Sequence, residues 1–159
     1  MDKIPIEKNT VQETLIIPLY ARKLGNELFP NLLRDPYADE ITGRLDYDFP
    51  SLDRKKNSLV GKFGALEGIL RSKDILYEMQ EYLSSHPEAA VVNMGCGLDQ
   101  TPLLIDNGKM KLYNIDQEDV IAIRNVLLPP IDRETNIAAD LTDVAWIHRV
   151  DASDRKSVV

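Results

Sequence analysis

Cysteine and histidine are scarce in this chain of 159 residues, which has one cysteine, Cys96, and two histidines, His86 and His148. A single cysteine excludes an internal disulfide and a cysteine cluster for zinc. The two histidines are far apart in the sequence and have no nearby partners. We therefore predict that the protein holds no metal ion.

Positive charge and long apolar runs are also in short supply. Lysine and arginine total 19 against 26 aspartates and glutamates, and the formal net charge is −7. Nucleic acids and anionic membranes repel such a chain on average. No run reaches the roughly 18 apolar residues that cross a bilayer, and the N-terminus lacks the features of a signal peptide. We predict a cytoplasmic protein that binds neither nucleic acid nor membrane.

A chain of 159 residues allows one domain with an adequate core, and the hydrophobic share of 43% indicates a globular protein. Residues 1–13 are polar and predicted to form a frayed tail. Residues 14–87 are predicted to form a helical N-terminal cap. Within it Asp35 and Pro36 are typical of a helix start, as capping residue and first helical residue. One long helical region is predicted from Leu52 to Ser84, because apolar residues recur three or four positions apart.

From residue 88 to residue 159 short apolar runs alternate with amphipathic segments, which indicates parallel strands joined by helices. The pattern predicts an α/β fold in which the N-terminal helices precede the first half of a Rossmann-like parallel sheet, with three strands and the start of a fourth. The predicted strands are Ala89–Met94, Lys111–Ile115 and Asn136–Ala139, and the predicted helices are Thr101–Asp106, Glu118–Leu128 and Val144–Val150.

A glycine turn follows the first predicted strand. Five of the six residues from Ala89 to Met94 are apolar, as in a strand buried on both faces. Gly95 and Gly97 then permit positive φ angles and let a ligand approach the backbone. Asp116 stands 19 residues after Gly97, where an acidic residue of doubly wound folds accepts hydrogen bonds from ribose hydroxyls. The spacing predicts a nucleoside site.

The residue at position 100 bears on which nucleoside is bound. A dinucleotide fingerprint places a small residue there, opening a long helix under a pyrophosphate, and this chain has Gln100 followed by Pro102. A ligand with a ribose and no phosphates, such as S-adenosylmethionine, fits better. A nucleotide-dependent oxidoreductase is the disfavoured alternative, and NAD binding would test it.

Six different short motifs lie along the chain, at Pro18–Arg22, Leu33–Ala38, Asp46–Phe49, Val91–Asp99, Tyr113–Asp116 and Leu127–Pro129. In this order they resemble the motifs of the leucine carboxyl methyltransferase and polyketide O-methyltransferase (TcmP-like) family. The resemblance runs from about Thr14 to the last residue. Gln100 and Asn114 depart from the threonine and aspartate that are common in the family.

The resemblance implies S-adenosylmethionine as the cofactor and gives roles at its adenosyl end. Asp116 would hold the ribose hydroxyls. Asp140 would accept a hydrogen bond from the exocyclic amine of adenine, and Leu141 would donate one through its backbone.

At the other end of the cofactor the resemblance implies that the turn formed by Gly95, Cys96 and Gly97 wraps the methionine part. Arg71 would bind the methionine carboxylate, since a guanidinium offers a planar fork suited to that group. Two further residues of the first motif, Tyr20 and Arg22, would border the acceptor pocket.

The resemblance further implies methyl transfer to a carboxylate or hydroxyl of a small molecule or peptide. The sulfonium is already activated, so the protein chiefly aligns the acceptor oxygen and excludes water, and no catalytic side chain is assigned. Family members continue well past the last residue of this chain, and the motifs place Ser157–Val159 at the start of a fourth strand. We expect a C-terminally truncated member, incomplete as a catalyst by itself.

An alternative of another class is a non-catalytic interaction module. The fourth strand of a methyltransferase sheet lies beside the first. Without it the first strand would present an unpaired edge, which is a template for pairing with another chain. This alternative predicts a homodimer formed through that edge.

Overall fold

The computed structural model of the chain describes residues 3–6 and 11–150. These residues form a mixed α/β protein with parallel sheets. The chain divides into two compact units, Met1–Leu76 and Tyr77–Val159. The predicted start of a fourth strand at 157–159 lies outside the described residues. In the described part no helix is long and apolar enough to cross a membrane.

Helices dominate the first unit, and two short strands pair within it. Strand β1 lies within the segment predicted to be a frayed tail and pairs in parallel with β2, with Ile4 opposite Leu45. Leu45 is fully buried. The elements are β1 (Ile4–Pro5), α1 (Val11–Thr14), α2 (Ile16–Leu28), α3 (Pro36–Arg44), β2 (Leu45–Asp46), α4 (Phe49–Lys56) and α5 (Leu59–Ser85), the last of which continues into the second unit.

A buried carboxylate begins helix α3. Oδ1 of Asp35 accepts hydrogen bonds from the backbone N–H groups of Tyr37 at 3.0 Å and Ala38 at 3.2 Å, with Pro36 as the first helical residue. This is the helix start that the sequence predicts. Oδ2 of the same carboxylate accepts from Nε of Arg22 at 2.9 Å, and both side chains are almost completely buried. A single aspartate therefore caps one helix and ties it to α2.

The single long helical region predicted from Leu52 to Ser84 is instead two helices, α4 and α5, which are separated at residues 57–58. Oγ of Ser58 accepts a hydrogen bond from the backbone N–H of Gly61 at 3.1 Å, which satisfies a donor in the first turn of α5. The apolar spacing continues across this break, so periodicity alone does not reveal it.

The second unit contains a parallel sheet, with strand order β3-β4-β5 in the described part. The three predicted strands are present, and β5 begins two residues earlier than predicted. Both short helices are 3₁₀ helices, of five and six residues. The elements are β3 (Ala90–Met94), a 3₁₀ helix (Thr101–Ile105), β4 (Lys111–Asp116), α6 (Glu118–Leu127), β5 (Glu134–Ala138) and a second 3₁₀ helix (Val144–Arg149).

The core of the second unit lies on the sheet. Val92, Tyr113, Ile115 and Ile137 form a buried cluster, and Trp146 packs against it. Val92 lies opposite Tyr113, and Ile115 lies opposite Ile137, so neighbouring strands contribute side chains to the same layer. This register brings the carboxyl ends of the three strands to one edge of the sheet.

Candidate functional site

The glycine turn after β3 remains attached to the neighbouring strand. The backbone N–H groups of Gly95 and Cys96 both donate to the carbonyl of Ile115, at 2.8 and 3.2 Å. Gly95 has a φ angle of 64° and Gly97 has one of 49°, in the left-handed region that glycine adopts without strain. A Cβ atom built on Gly95 would meet no atom within 4 Å. The backbone is therefore accessible at Gly95.

The carboxylate of Asp116 lies directly against this turn. Its Oδ2 accepts a hydrogen bond from the backbone N–H of Gly97 at 2.8 Å, and its Oδ1 accepts one from Gln117 at 2.8 Å. Each carboxylate oxygen has two lone pairs, so the group has capacity for further donors. The 19-residue spacing therefore corresponds to a direct contact.

The third strand end lies beside the second. The backbone N–H of Ala139 donates to the carbonyl of Asp116 at 2.9 Å, which brings the segment that follows β5 alongside β4. Asp140 and Leu141 come next and are both exposed. Oδ1 of Asp140 accepts from the N–H and the hydroxyl of Thr142, and these bonds lower the pKa of the Asp140 carboxyl. The carboxylate is therefore ionised at neutral pH.

Cys96 is 2% exposed at the centre of the turn. Burial raises the pKa of its thiol to about 12, and the nearby Arg124 guanidinium only partly offsets that effect. The thiol is therefore neutral at physiological pH and is a poor nucleophile. Its role is that of a small apolar filler.

A buried arginine, which the sequence patterns did not predict, donates hydrogen bonds to the backbone of the turn. Nη1 of Arg124 donates to the carbonyls of Gly97 at 3.0 Å and Asp99 at 2.8 Å. Nη2 donates to the side chain of Gln100 and, at 3.3 Å, to Oε1 of Glu134. The side chains of Arg124 and Glu134 are both completely buried. The backbone of the turn is therefore hydrogen-bonded to the arginine of a buried ion pair.

Amide side chains extend this network across the sheet. Asn114 donates to Oε1 of Glu134 at 2.6 Å and to Oδ1 of Asn136 at 3.0 Å. Asn93 donates in turn to Oδ1 of Asn114 at 3.3 Å, and Nε of Arg124 donates to Asn136 at 3.3 Å. The buried charges and amides are thereby bonded to one another, as burial of polar groups requires.

The spacing of buried residues along α6 contains a sequence signal for this network. Val120, Arg124 and Leu127 follow one another at helical spacing and are all buried, so an arginine occupies a position on the apolar stripe. Gln100, which counted against a phosphate site, is 3% exposed and donates to both oxygens of Glu134. A charged residue at a core position is the pattern that would have revealed the ion pair.

Asp99 has a structural role between the glycine turn and the first 3₁₀ helix. Its Oδ1 accepts a hydrogen bond from the backbone N–H of Thr101 at 3.0 Å, at the start of the first 3₁₀ helix.

Three predicted site residues belong to the first unit. Arg71 is exposed on α5 and lines an apolar groove of about 440 Å³ together with Phe63 and Asp74. Tyr20 is buried and stacks on Phe49, with ring centroids 6.1 Å apart. Arg22 is buried against Asp35, as described above. Contacts with a cofactor or an acceptor remain predictions for all three.

The second unit is thus an α/β sheet whose parallel strands end at one edge, with the glycine turn, Asp116 and Asp140 beyond their carboxyl ends. No protein-family model matches the chain. The chain is 31% identical over 142 residues to the tetracenomycin polyketide synthesis O-methyltransferase TcmP of Streptomyces glaucescens, an alignment that covers 88% of this chain and 50% of that protein. It is 29% identical over 159 residues to the S-adenosyl-L-methionine-dependent methyltransferase dpfgK of Gibberella zeae, covering 92% of this chain and 52% of that protein.

These relatives confirm the resemblance to TcmP-like methyltransferases that the motifs predict. The chain spans about half the length of the curated relatives it matches. The link to leucine carboxyl methyltransferases in particular remains a prediction from the motifs.

Proposed function

We propose that this chain binds S-adenosylmethionine at the glycine turn and Asp116, as part of an O-methyltransferase that acts on a carboxylate or hydroxyl of a small molecule or peptide. The observation that carries the proposal is the hydrogen bond between the Gly97 N–H and the Asp116 carboxylate. It joins the two elements, a bare backbone turn and a ribose-binding acid, that an adenosyl ligand needs at one sheet edge.

The residues at this edge fit the cofactor. The open space at Gly95 admits a ligand against the backbone, and Asp116 retains lone pairs for ribose hydroxyls. Only a five-residue 3₁₀ helix follows the turn, so the long helix that receives a pyrophosphate in dinucleotide folds does not occur there. These features support a partial Rossmann-like domain that takes a ligand with ribose and without phosphates.

In the proposed site, Asp116 accepts from the ribose hydroxyls, and the backbone at Gly95 and Gly97 borders the methionine part. Asp140 and Leu141, on the segment that follows β5, border the adenine. This arrangement is supported by the Ala139 to Asp116 bond, which aligns the two strand ends.

Bound S-adenosylmethionine would supply a methyl group already activated by its sulfonium centre. The contribution of the chain is binding and orientation, and no side chain needs to act as an acid, a base or a nucleophile. The neutral thiol of Cys96 suits this environment, because it does not compete with the acceptor oxygen for the methyl group.

Thermal unfolding with added ligands tests the proposal. S-adenosylmethionine or its demethylated product at 100 times the dissociation constant should stabilise the chain by about 2.7 kcal/mol, raising the midpoint by roughly 5 to 10 °C. NAD serves as the comparison ligand and should leave the midpoint unchanged. A shift with NAD alone would favour the oxidoreductase alternative, and no shift with millimolar S-adenosylmethionine would refute the proposal.

The interaction-module alternative is supported by one observation. Among the described residues β3 pairs with β4 on one side and with no strand on the other. Size-exclusion chromatography distinguishes the two functions, since a defined dimer that forms equally with and without S-adenosylmethionine would favour the module.

A further inference from the structure

We propose that the buried Arg124–Glu134 ion pair is a positioning device that holds the glycine turn in its ligand-binding shape. The proposal rests on the assignment of that turn as the S-adenosylmethionine site. Neither residue reaches the ligand-facing side in this scheme. Arg124 acts through the backbone carbonyls of the turn, and Glu134 acts by holding the side chains of Arg124 and Gln100.

The geometry restrains the peptide groups on both sides of Gly97. Its N–H donates to Asp116 at 2.8 Å, while its carbonyl accepts from Nη1 of Arg124 at 3.0 Å. The same Nη1 also binds the carbonyl of Asp99 at 2.8 Å, two residues further along. Glycine has the largest conformational freedom of any residue, so a turn built on it needs external restraints to keep one shape. A guanidinium provides them because its donors lie in a rigid plane.

The ion pair is poorly explained by stability alone. A buried ion pair usually adds no more stability than well-packed apolar residues of the same volume. Position 124 lies on the apolar stripe of α6, between Val120 and Leu127, where an apolar residue is the usual occupant. What the ion pair provides beyond stability is therefore a fixed orientation of the Gly97 and Asp99 carbonyl groups.

Two variants of the full chain test the role, and one matched variant controls for stability. Arg124→Lys retains the charge and loses the planar fork, and Glu134→Gln retains the shape and loses the counter-charge. Leu127→Ala deletes buried methyl groups on the same helix without removing a donor to the turn, so it lowers the stability of the fold. Amide hydrogen exchange is measured at Gly97 relative to Leu112, whose N–H donates to the carbonyl of Arg133 within the sheet.

The proposal requires two results. In the absence of ligand, Arg124→Lys and Glu134→Gln should raise the ratio of Gly97 to Leu112 exchange rates at least about tenfold, because each variant breaks bonds of a charged group that support the turn. The affinity for S-adenosylmethionine, measured by calorimetry below the unfolding transition, should fall by about tenfold as well. Leu127→Ala should change both quantities by less than about twofold.

Three other outcomes would count against the positioning role. An unchanged exchange ratio in Arg124→Lys would overturn the positioning role, as would an increased ratio with unaltered affinity. Equal losses of affinity in Leu127→Ala would reduce the ion pair to a contributor to general stability. If the wild-type chain binds no S-adenosylmethionine, the proposed function fails, and the exchange ratio alone still decides whether the pair holds the turn.

Discussion

The backbone N–H of Gly97 donates a hydrogen bond to Oδ2 of Asp116 at 2.8 Å. Two residues that are 19 positions apart, at the ends of neighbouring parallel strands, are thereby in direct contact. The carboxylate shapes the turn and, in the proposed site, also receives the ribose. A change at Asp116 should consequently affect both the ligand and the backbone that surrounds it.

Asp116→Ala is expected to weaken S-adenosylmethionine binding about tenfold or more, since hydrogen bonds to a charged acceptor contribute on the order of 1.5 to 3 kcal/mol each. Isothermal titration calorimetry measures the loss. Asp132→Ala, at an exposed aspartate of the same unit, should leave the affinity unchanged. Equal affinity in Asp116→Ala and the wild-type chain would contradict the assignment.

Gly95→Ala and Gly108→Ala form a matched pair. Both glycines have positive φ angles, 64° and 78°, and both have open space where a Cβ would stand. Each alanine should therefore destabilise the fold by roughly 1 to 2 kcal/mol through backbone strain. Only Gly95→Ala should also reduce cofactor affinity, because its methyl group would occupy space assigned to the ligand. Similar affinities for the two variants would show that the ligand does not approach Gly95.

Arg71→Ala tests the role that the family resemblance gives to this exposed side chain. If Arg71 binds the methionine carboxylate, the variant should bind S-adenosylmethionine about tenfold more weakly. It should bind 5′-methylthioadenosine, which lacks that carboxylate, as well as the wild-type chain does. Lys73→Ala, on the same helix and also exposed, provides the comparison. Parallel losses for both ligands would argue against carboxylate recognition.

Arg22→Met should destabilise the first unit strongly. The substitution leaves the Asp35 carboxylate buried without its guanidinium partner, and breaking a buried pair in this way costs about 3 to 5 kcal/mol. Lys23→Met removes a partly exposed ion pair with Glu27 and should cost less than about 1 kcal/mol. Urea unfolding measures both changes. A loss below 1 kcal/mol in Arg22→Met would show that the pair is not structural and would strengthen its predicted role at the acceptor pocket.

Alkaline pH should destabilise the second unit through Cys96. Burial raises the pKa of the thiol from 9.0 to about 12, so the folded state retains a proton that the unfolded state releases. Stability from this group is complete below pH 9 and is lost as the pH rises from 9 towards 12, by roughly 1 kcal/mol per pH unit. Unfolding in guanidinium at pH 8 and pH 10 measures the loss. Cys96→Ala should lack this part of the pH dependence, and an identical dependence in the variant would exclude the thiol as its source.

Local patterns in the sequence predicted much of the second unit. The apolar runs identified β3, β4 and β5, and the glycines with Asp116 marked the edge at which a ligand would bind. Such features can be read from a sequence because strand burial and left-handed turns impose residue types at short spacing. For the same reason Asp35 and Pro36 located the start of α3.

Only the tertiary structure decided which polar groups are buried together. The sequence places Arg124 on the apolar stripe of α6, but its pairing with Glu134 beside the turn depends on how α6 packs on the sheet. The break between α4 and α5 and the pairing of β1 with β2 were likewise invisible to periodicity. The physical reason is that a repeat of 3.6 or 2 residues encodes which face of an element is apolar, whereas the partner of a buried charge is set by contacts between elements that are distant in the chain.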